Sequence, residues 1–464
     1  MRKVVSALWE HSRGQPDSCK RKKRGLMATR STPPAAPSAP SYIGPFITVT
    51  ALFGIFGFLT SLNNQLVHKL EDIFTLNHFS GMLATSAWFF AYLVFSVPSA
   101  KLIEKVGYKR TMVISLFIMV VGALLFIPAA SLVSFPMTLA AIFVLATGVT
   151  ALQTSANPYV SILGPESSAP ARLNLAQAFN SLGSAVAPWV AAHFILSDTS
   201  KVSDAASQAH MLQGPYIAIA AALLLLGFAV MLMNLPAIET TRAFRPGSPG
   251  DPVLARNIWT YSHTVLGMVG IFFYVGVEIA LAAIAIRFFQ EQGISSLETA
   301  GLLVTLYYLG IMAGRFVGSA LMSVIKAQNM LVGLGILGVV LMLVAMFTTG
   351  PVAIWSLVLC GVANSIMYPT VFTLGIAELG PLTSKGSGVI TIGNVGGAVI
   401  PPLFGWISEV IGKHYAIAHN IQYVIGGPAD KVGIQYAFLL PIVCYLFVAY
   451  YGLEGYKPTR AGKA

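Results

Sequence analysis

The sequence predicts an all-α membrane protein with about twelve transmembrane helices in two six-helix pseudo-repeats. Composition, apolar run length and an internal echo predict it. Of 464 residues, 56% are apolar and only 10% charged, with a mean hydropathy of +0.74. A soluble domain carries roughly 25% charged residues, so a soluble fold of this composition would expose large apolar patches. Apolar runs recur at the length of about 20 residues that a bilayer span needs. The echo sets Asn180-Ser-Leu-Gly-Ser-Ala-Val-Ala-Pro188 against Gly393-Asn-Val-Gly-Gly-Ala-Val-Ile-Pro401, with 213 residues separating Gly183 from Gly396. The same shift carries Arg172 onto Lys385, Gly148 onto Gly361, and Gly54 and Gly57 onto Gly267 and Gly270. One offset held over most of a chain marks two copies of one unit.

The chain divides in order. Residues 1–42 read as a disordered cytoplasmic tail, with the basic run Lys20-Arg-Lys-Lys-Arg24 and a Pro/Ala/Ser-rich lead-in from Ser31 to Tyr42. No cleavable signal peptide is expected, and either Met1 or Met27 can serve as the start. The first bundle occupies 43–235, with spans near 44–68, 79–102, 111–131, 137–163, 172–196 and 214–234. A cytoplasmic linker, 236–257, carries Pro246, Gly247, Pro249, Gly250 and Pro252. The second bundle occupies 258–456, with spans near 258–288, 298–324, 329–349, 352–379, 384–411 and 433–453, before a short cytoplasmic tail at 457–464.

Charge sets the expected orientation. Loops on the linker side carry Lys105, Lys109, Arg110, Arg172, Lys326 and Lys385, and the opposite loops carry only Lys69, Lys201, Lys413 and Lys431. The positive-inside rule then places both termini and the linker in the cytoplasm. The net charge of +11 is accounted for this way and does not call for nucleic acid. Cys19, Cys360 and Cys444 have no metal or disulfide spacing. No phosphate-binding loop, HExxH or nucleophile elbow is present, so neither an enzyme nor an ATP-driven pump is expected, and no cofactor beyond a coupling proton.

Polar residues within the spans point to a lined cavity. Asn174, Gln177, Asn180, Ser181 and Ser184 form one helical stripe. Gln153 and Asn157 lie one turn apart, as do Tyr274 and Glu278, and Asn364 and Tyr368. Asn63, Asn64 and Gln65 sit together late in the first span, and the 213-residue shift sets Gln65 onto Glu278. Amides donate and accept, and aromatic faces stack on sugar CH surfaces, so such a set suits an uncharged polyol. The alternative is interhelical bonding, worth about 0.6 kcal/mol per side chain. Candidate substrate contacts are Asn63, Asn64, Gln153, Asn157, Gln177, Asn180, Tyr274, Glu278, Tyr308, Asn364 and Asn394, with Trp88 a second candidate for stacking. An acid in an apolar run costs roughly 2.5–3.5 kcal/mol on insertion scales. Glu278 therefore either carries a proton or is paired. Arg315 is the better candidate partner, because Arg287 falls near a membrane edge.

The loop after the second span, Ala100-Lys-Leu-Ile-Glu104-Lys105-Val-Gly107-Tyr-Lys109-Arg110, resembles the signature of the major facilitator superfamily, with Glu104-Lys105 in place of Asp-Arg. An acid beside bases and helix ends can latch one face of a two-bundle transporter. Glu104, Lys105, Gly107, Arg110, Arg172 and Arg315 are the candidate gating residues. Asn157-Pro-Tyr-Val160, Arg172-Leu-Asn-Leu-Ala-Gln-Ala-Phe-Asn-Ser-Leu-Gly183, Phe273-Tyr-Val-Gly-Val-Glu278, Gly314-Arg-Phe-Val-Gly318 and Asn364-Ser-Ile-Met-Tyr-Pro369 closely resemble the fucose–proton symporter family, glucose/galactose permeases included. The resemblance extends over nearly all of the chain after Tyr42.

It implies a monosaccharide importer, for a hexose or deoxyhexose, working by alternating access in a bacterial inner membrane. Coupling to protons and a monomeric state are expected. At two places the family's acids are replaced: the positions matching its first-span aspartate and fourth-span glutamate hold Asn64 and Gln153. Glu278 then carries the proton, coupling is weak, or the protein is an uncoupled facilitator. An amino-sugar transporter and a non-transporting membrane sensor are the remaining alternatives.

Overall fold

The computed structural model describes residues 43–73, 78–132, 134–191, 193, 211–233, 235 and 257–458, with no side chains described over 64–85. Residues 1–42, nearly all of the 236–257 linker and the last six residues lie outside the described part.

Twelve long helical segments run through it. In the first half they are α1 (Ile43–Ile73), α2 (His78–Val106), α3 (Tyr108–Ser131), α4 (Phe135–Ile162), α5 (Ala169–Val190) and α6 (Gln213–Leu232). The second half contributes α7 (Ser262–Glu291), α8 (Leu297–Leu321), α9 (Ala327–Phe347), α10 (Pro351–Gly375), α11 (Gly380–Ala418) and α12 (Pro428–Gly455). Eleven segments are long and apolar enough to cross a membrane, α1 and α2 through Ile43–Asn63 and Ser86–Val106. The twelfth, α5, falls short because the stripe from Asn174 to Ser184 takes apolar positions.

Several bounds differ from the sequence expectation, for local reasons. The seventh span begins at Ser262 instead of 258, because the Asn257 side chain accepts from the Trp259 amide and closes a short 3₁₀ turn over Ile258–Thr260. The eleventh extends to Ala418, past the apolar run, where Lys413 and His414 lie exposed beyond the core.

Each half is built on close helix pairs. A Cβ at Gly57 would run into the Asn180 carbonyl, and one at Gly183 into the Gly54 carbonyl, so α1 and α5 touch backbone to backbone. In the second half Gly393 and Gly396 meet the carbonyls of Met268 and Phe272, which brings α11 against α7 in the same way. Gly183 and Gly396 of the 213-residue echo thus serve one packing role twice, while Gly267 and Gly270, the counterparts of Gly54 and Gly57, pack against Tyr451 and Val371. Between α2 and α3 the chain reverses at Gly107, whose φ of 84° is open to glycine at little cost.

The helices of the second half are interrupted where those of the first run on. α10 breaks at Ser365–Ile366, and α11 passes through a 3₁₀ turn at Gly393–Val395. Proline is the cause in α10: Pro369 has no N–H to return to the Ser365 carbonyl four residues back.

Candidate functional site

The end of the bundle carrying the α2–α3, α4–α5 and α10–α11 loops is called the linker end. There the two halves are joined. Glu104 lies 3.7 Å from Lys385 and accepts from Ser384 Oγ at 3.5 Å. The Glu378 amide donates to Glu166 at 3.4 Å. Deeper in, Ser319 Oγ donates to the Ala171 carbonyl at 2.9 Å, and Asn174 Nδ2 to the Arg315 carbonyl at 2.8 Å. The Phe179 and Phe316 rings meet edge-on at 5.4 Å.

Arg315 is the centre of this seam. Its side chain is buried and donates to the Ser365 carbonyl at 3.0 Å, the Gln177 carbonyl at 3.3 Å and Ser181 Oγ at 2.5 Å. It therefore ties α8 and α10 of one half to α5 of the other. It also lies within electrostatic reach of Glu278, without an ion pair as close as those at the surface.

Proline supplies several of the acceptors. Pro369 leaves the Ser365 carbonyl out of its helix ladder, and Arg315 takes it. Pro158 does the same to the Thr154 carbonyl, which accepts from Ser387 Oγ of the other half at 2.7 Å. Pro188 does so to the Ser184 carbonyl, which accepts from Ser61 Oγ at 3.0 Å. The kinking residues are thus also the source of docking points between helices.

Midway along the helices, polar side chains converge. Gln177 Nε2 donates to Asn157 Oδ1 at 3.2 Å, and Asn157 Nδ2 donates to Tyr368 Oη at 3.4 Å, which carries a chain of contacts from α5 through α4 to α10. Asn394 approaches Tyr368 from α11 and donates to the Thr391 carbonyl at 2.9 Å. Glu278 is half-buried and faces Tyr274, whose buried hydroxyl lacks a full hydrogen bond. Gln153 is also half-buried, and its Oε1 accepts no hydrogen bond. Unpaired donors and acceptors at this depth are costly unless a ligand or water satisfies them. Asn63 is buried with both amide atoms unpaired.

Other candidates take structural partners. Asn180 Nδ2 donates to the Phe53 carbonyl at 3.1 Å, binding α5 to α1. Asn364, 0% exposed, donates to Tyr307 Oη at 2.8 Å and accepts from Tyr445 Oη at 2.8 Å. Tyr307 in turn reaches the Glu278 carbonyl at 3.5 Å. The Arg172 guanidinium donates to the carbonyls of Val160, Ser161 and Pro165 and to Ser168, closing the end of α4 onto α5. Lys105 and Arg110 are exposed on the linker-end rim. Asn64 lies in α1 with its side chain outside the described residues. His263, a span-end residue, has Nε2 3.1 Å from the Ala377 carbonyl.

Toward the opposite end the seam opens. On α5, Trp189 stands about five turns beyond Ala171 on the same side of the helix, and Leu182, Val186 and Trp189 are exposed. On α8, Tyr308 lies about three turns from Ser319 on the same side. It is 46% exposed, stacked edge-on at 5.3 Å against Tyr307, and within electrostatic reach of Glu278. Among the described residues, every hydrogen bond and ion pair between the halves lies from mid-depth to the linker end.

Sequence reasoning missed Tyr307, Ser387 and Lys385 as members of this network and named Tyr368 only as the helical neighbour of Asn364. Tyr368 and Lys385 had a signal, since each is linked to a candidate by helical spacing or by the repeat. The hydroxyls of Tyr307 and Ser387 carried none.

Comparison with known proteins fits this geometry. The Major Facilitator Superfamily profile matches residues 42–402. The chain belongs to the major facilitator superfamily. This facilitator is 38% identical over 416 residues to a glucose/galactose transporter of Brucella abortus (strain 2308), covering 88% of the chain and 93% of the relative. It is 33% identical over 391 residues to the L-fucose-proton symporter of Escherichia coli (strain K12), covering 80% and 89%. Among solved structures it matches a major facilitator transporter, FucP, in the outward conformation, with TM-score 0.75 and 30% identity over 89% of the chain and 99% of that one. The proton:xylose symporter XylE, at 13% identity and TM-score 0.65, shares the fold.

Proposed function

We propose that this major facilitator imports a monosaccharide, a hexose or deoxyhexose, across a bacterial inner membrane by alternating access with a proton. The observation that carries the reading is the mid-depth polar chain from Gln177 through Asn157 to Tyr368, whose ring meets Tyr274 beside the half-buried acid Glu278, with unsatisfied groups on Tyr274 and on Gln153, one turn from Asn157. Relatives named for glucose/galactose transport and fucose–proton symport, each matched over most of its length, support it.

In this reading the linker end is cytoplasmic, as are both termini, and the protein acts as a monomer. The seam around Arg315 is the closed inner gate, and the splayed faces of α5 and α8 border the entry path. Sugar hydroxyls bind Gln153, Asn157 and Gln177 from the first half and Tyr274, Glu278 and Asn394 from the second, with Tyr308 against the ring. A substrate touching both halves draws them together on the open side.

Glu278 is the proton carrier. With Asn64 and Gln153 unable to ionise, it is the acid that faces both the polar cluster and Arg315. Deprotonation of Glu278 attracts the Arg315 guanidinium, which competes with the Gln177 and Ser181 contacts that hold the inner gate.

The test is counterflow in proteoliposomes with labelled glucose, galactose, fucose and N-acetylglucosamine, with and without an imposed pH gradient. Exchange of a hexose that becomes accumulation under an inward proton gradient is the expected result. Exchange without accumulation identifies an uncoupled facilitator, and binding without flux a sensor.

A further inference from the structure

At the end of α7 farthest from the linker lies a charged cluster that the transport reading does not use. Asp430, at the start of α12, is fully buried. It accepts from the Arg287 guanidinium, from Tyr423 Oη at 2.8 Å and from the Gly426 amide at 2.8 Å. One turn along α7 from Arg287 sits Glu291, whose side chain is 4% exposed. Glu291 Oε1 is 3.4 Å from Arg287 Nε, yet neither of its carboxylate oxygens accepts a hydrogen bond.

We infer that Glu291 and Asp430 share one proton and form a proton-binding site at this end of α7. Both carboxyl groups engage the one Arg287 guanidinium, Glu291 at Nε and Asp430 at a terminal nitrogen, which sets them side by side. Two bare carboxylates in that position repel, and a single proton between them turns the contact into a hydrogen bond. The charge count agrees. Among the described residues, the charged groups facing Glu291 are Arg287 from its own helix and Asp430 from α12, while Tyr423 approaches Asp430 from the segment between α11 and α12. One guanidinium against two ionised carboxylates leaves a net negative charge in a buried place, and such a charge is expensive. One bound proton makes the group neutral. The buried Glu291 carboxyl, paired with Arg287 at 3.4 Å and accepting no hydrogen bond, is the receptor for it.

The site stands about 20 Å along α7 from Glu278 and does not depend on what the protein carries. Its structural consequence is local. Asp430 holds the segment containing Tyr423 and Gly426 against α7. Proton loss adds repulsion at Asp430, which helps hold it, so that segment loosens as the proton leaves.

The experiment is infrared spectroscopy of the full chain in lipid nanodiscs, in a Glu278→Gln background that silences the mid-depth acid. The expected result is a protonated-carboxyl carbonyl band at neutral pH that disappears in Glu291→Gln. Asp430→Asn, which leaves the guanidinium to Glu291 alone, also loses it. Undiminished absorption in either variant overturns the inference. A measurement without substitution at the pair guards against misfolding. Raising the pH of the same background should remove the band and speed hydrogen exchange at the Gly426 amide beyond its base-catalysed rise. A band that titrates without that change, or none at all, overturns it equally.

Discussion

The two ends of the α5–α8 pair are built from the same helices and behave as opposites. At the linker end Ala171, Asn174, Arg315 and Ser319 are buried and bonded across the halves. At the far end Leu182, Val186, Trp189 and Tyr308 lie on continuations of those faces and are exposed. The closed end is held by polar, directional contacts, and the open end offers mainly apolar surface. Directional bonds give a seam one defined closed geometry, and apolar faces can close and part without leaving polar groups unsatisfied. The comparison teaches which end needs an energetic trigger to open.

The largest disruption should come from Arg315→Ala. It removes three hydrogen bonds, two of them across the seam, at a cost of about 3 kcal/mol or more. Thiol labelling reads the effect. Val186→Cys should react with a membrane-impermeant reagent and Ser319→Cys should stay protected, until Arg315→Ala exposes it. Cys360 and Cys444 are buried and contribute little background, and the measurement is made in a Cys19→Ser background. Protection of Ser319→Cys in the double variant would show that the seam does not rest on Arg315.

Next is Glu278→Gln, expected to keep sugar exchange in proteoliposomes while accumulation under a proton gradient is lost. Accumulation equal to the parent's would remove Glu278 from coupling. Ser387→Ala gives up one hydrogen bond to the Thr154 carbonyl, worth about 1 kcal/mol. It should raise reactivity at the linker end modestly. The smallest effect belongs to Lys385→Ala. Its pair with Glu104 is largely exposed, and such pairs contribute about 0–1 kcal/mol. A loss as large as that of Arg315→Ala would reverse the ranking of rim and interior.

Much of this was legible in the sequence. Run length and the 213-residue echo predicted both bundles, because a bilayer imposes span length and a duplicated packing motif repeats its glycines. The polar stripe on α5 and the acid at Glu278 were legible because each breaks an apolar pattern. Which amides face the gap was not. Asn157 and Asn364 stand in similar Asn-rich, proline-containing stretches, yet Asn364 is enclosed by Tyr307 and Tyr445 from helices far away in sequence. The Arg287–Asp430 pair was hidden for a related reason: helix spacing relates residues on one helix, and 143 positions separate these two.

The prolines of α4 and α10 have a consequence for mutagenesis. Since the acceptors at Thr154 and Ser365 are main-chain oxygens, no side-chain exchange at those two positions deletes them. Exchanging the proline does. Pro158→Ala returns an amide to its own ladder, improves the helix by any propensity scale, and withdraws from the neighbouring bundle the oxygen that Ser387 grasps. A substitution that regularises one rod thereby weakens the clasp between two, so here local order and global closure compete for one atom.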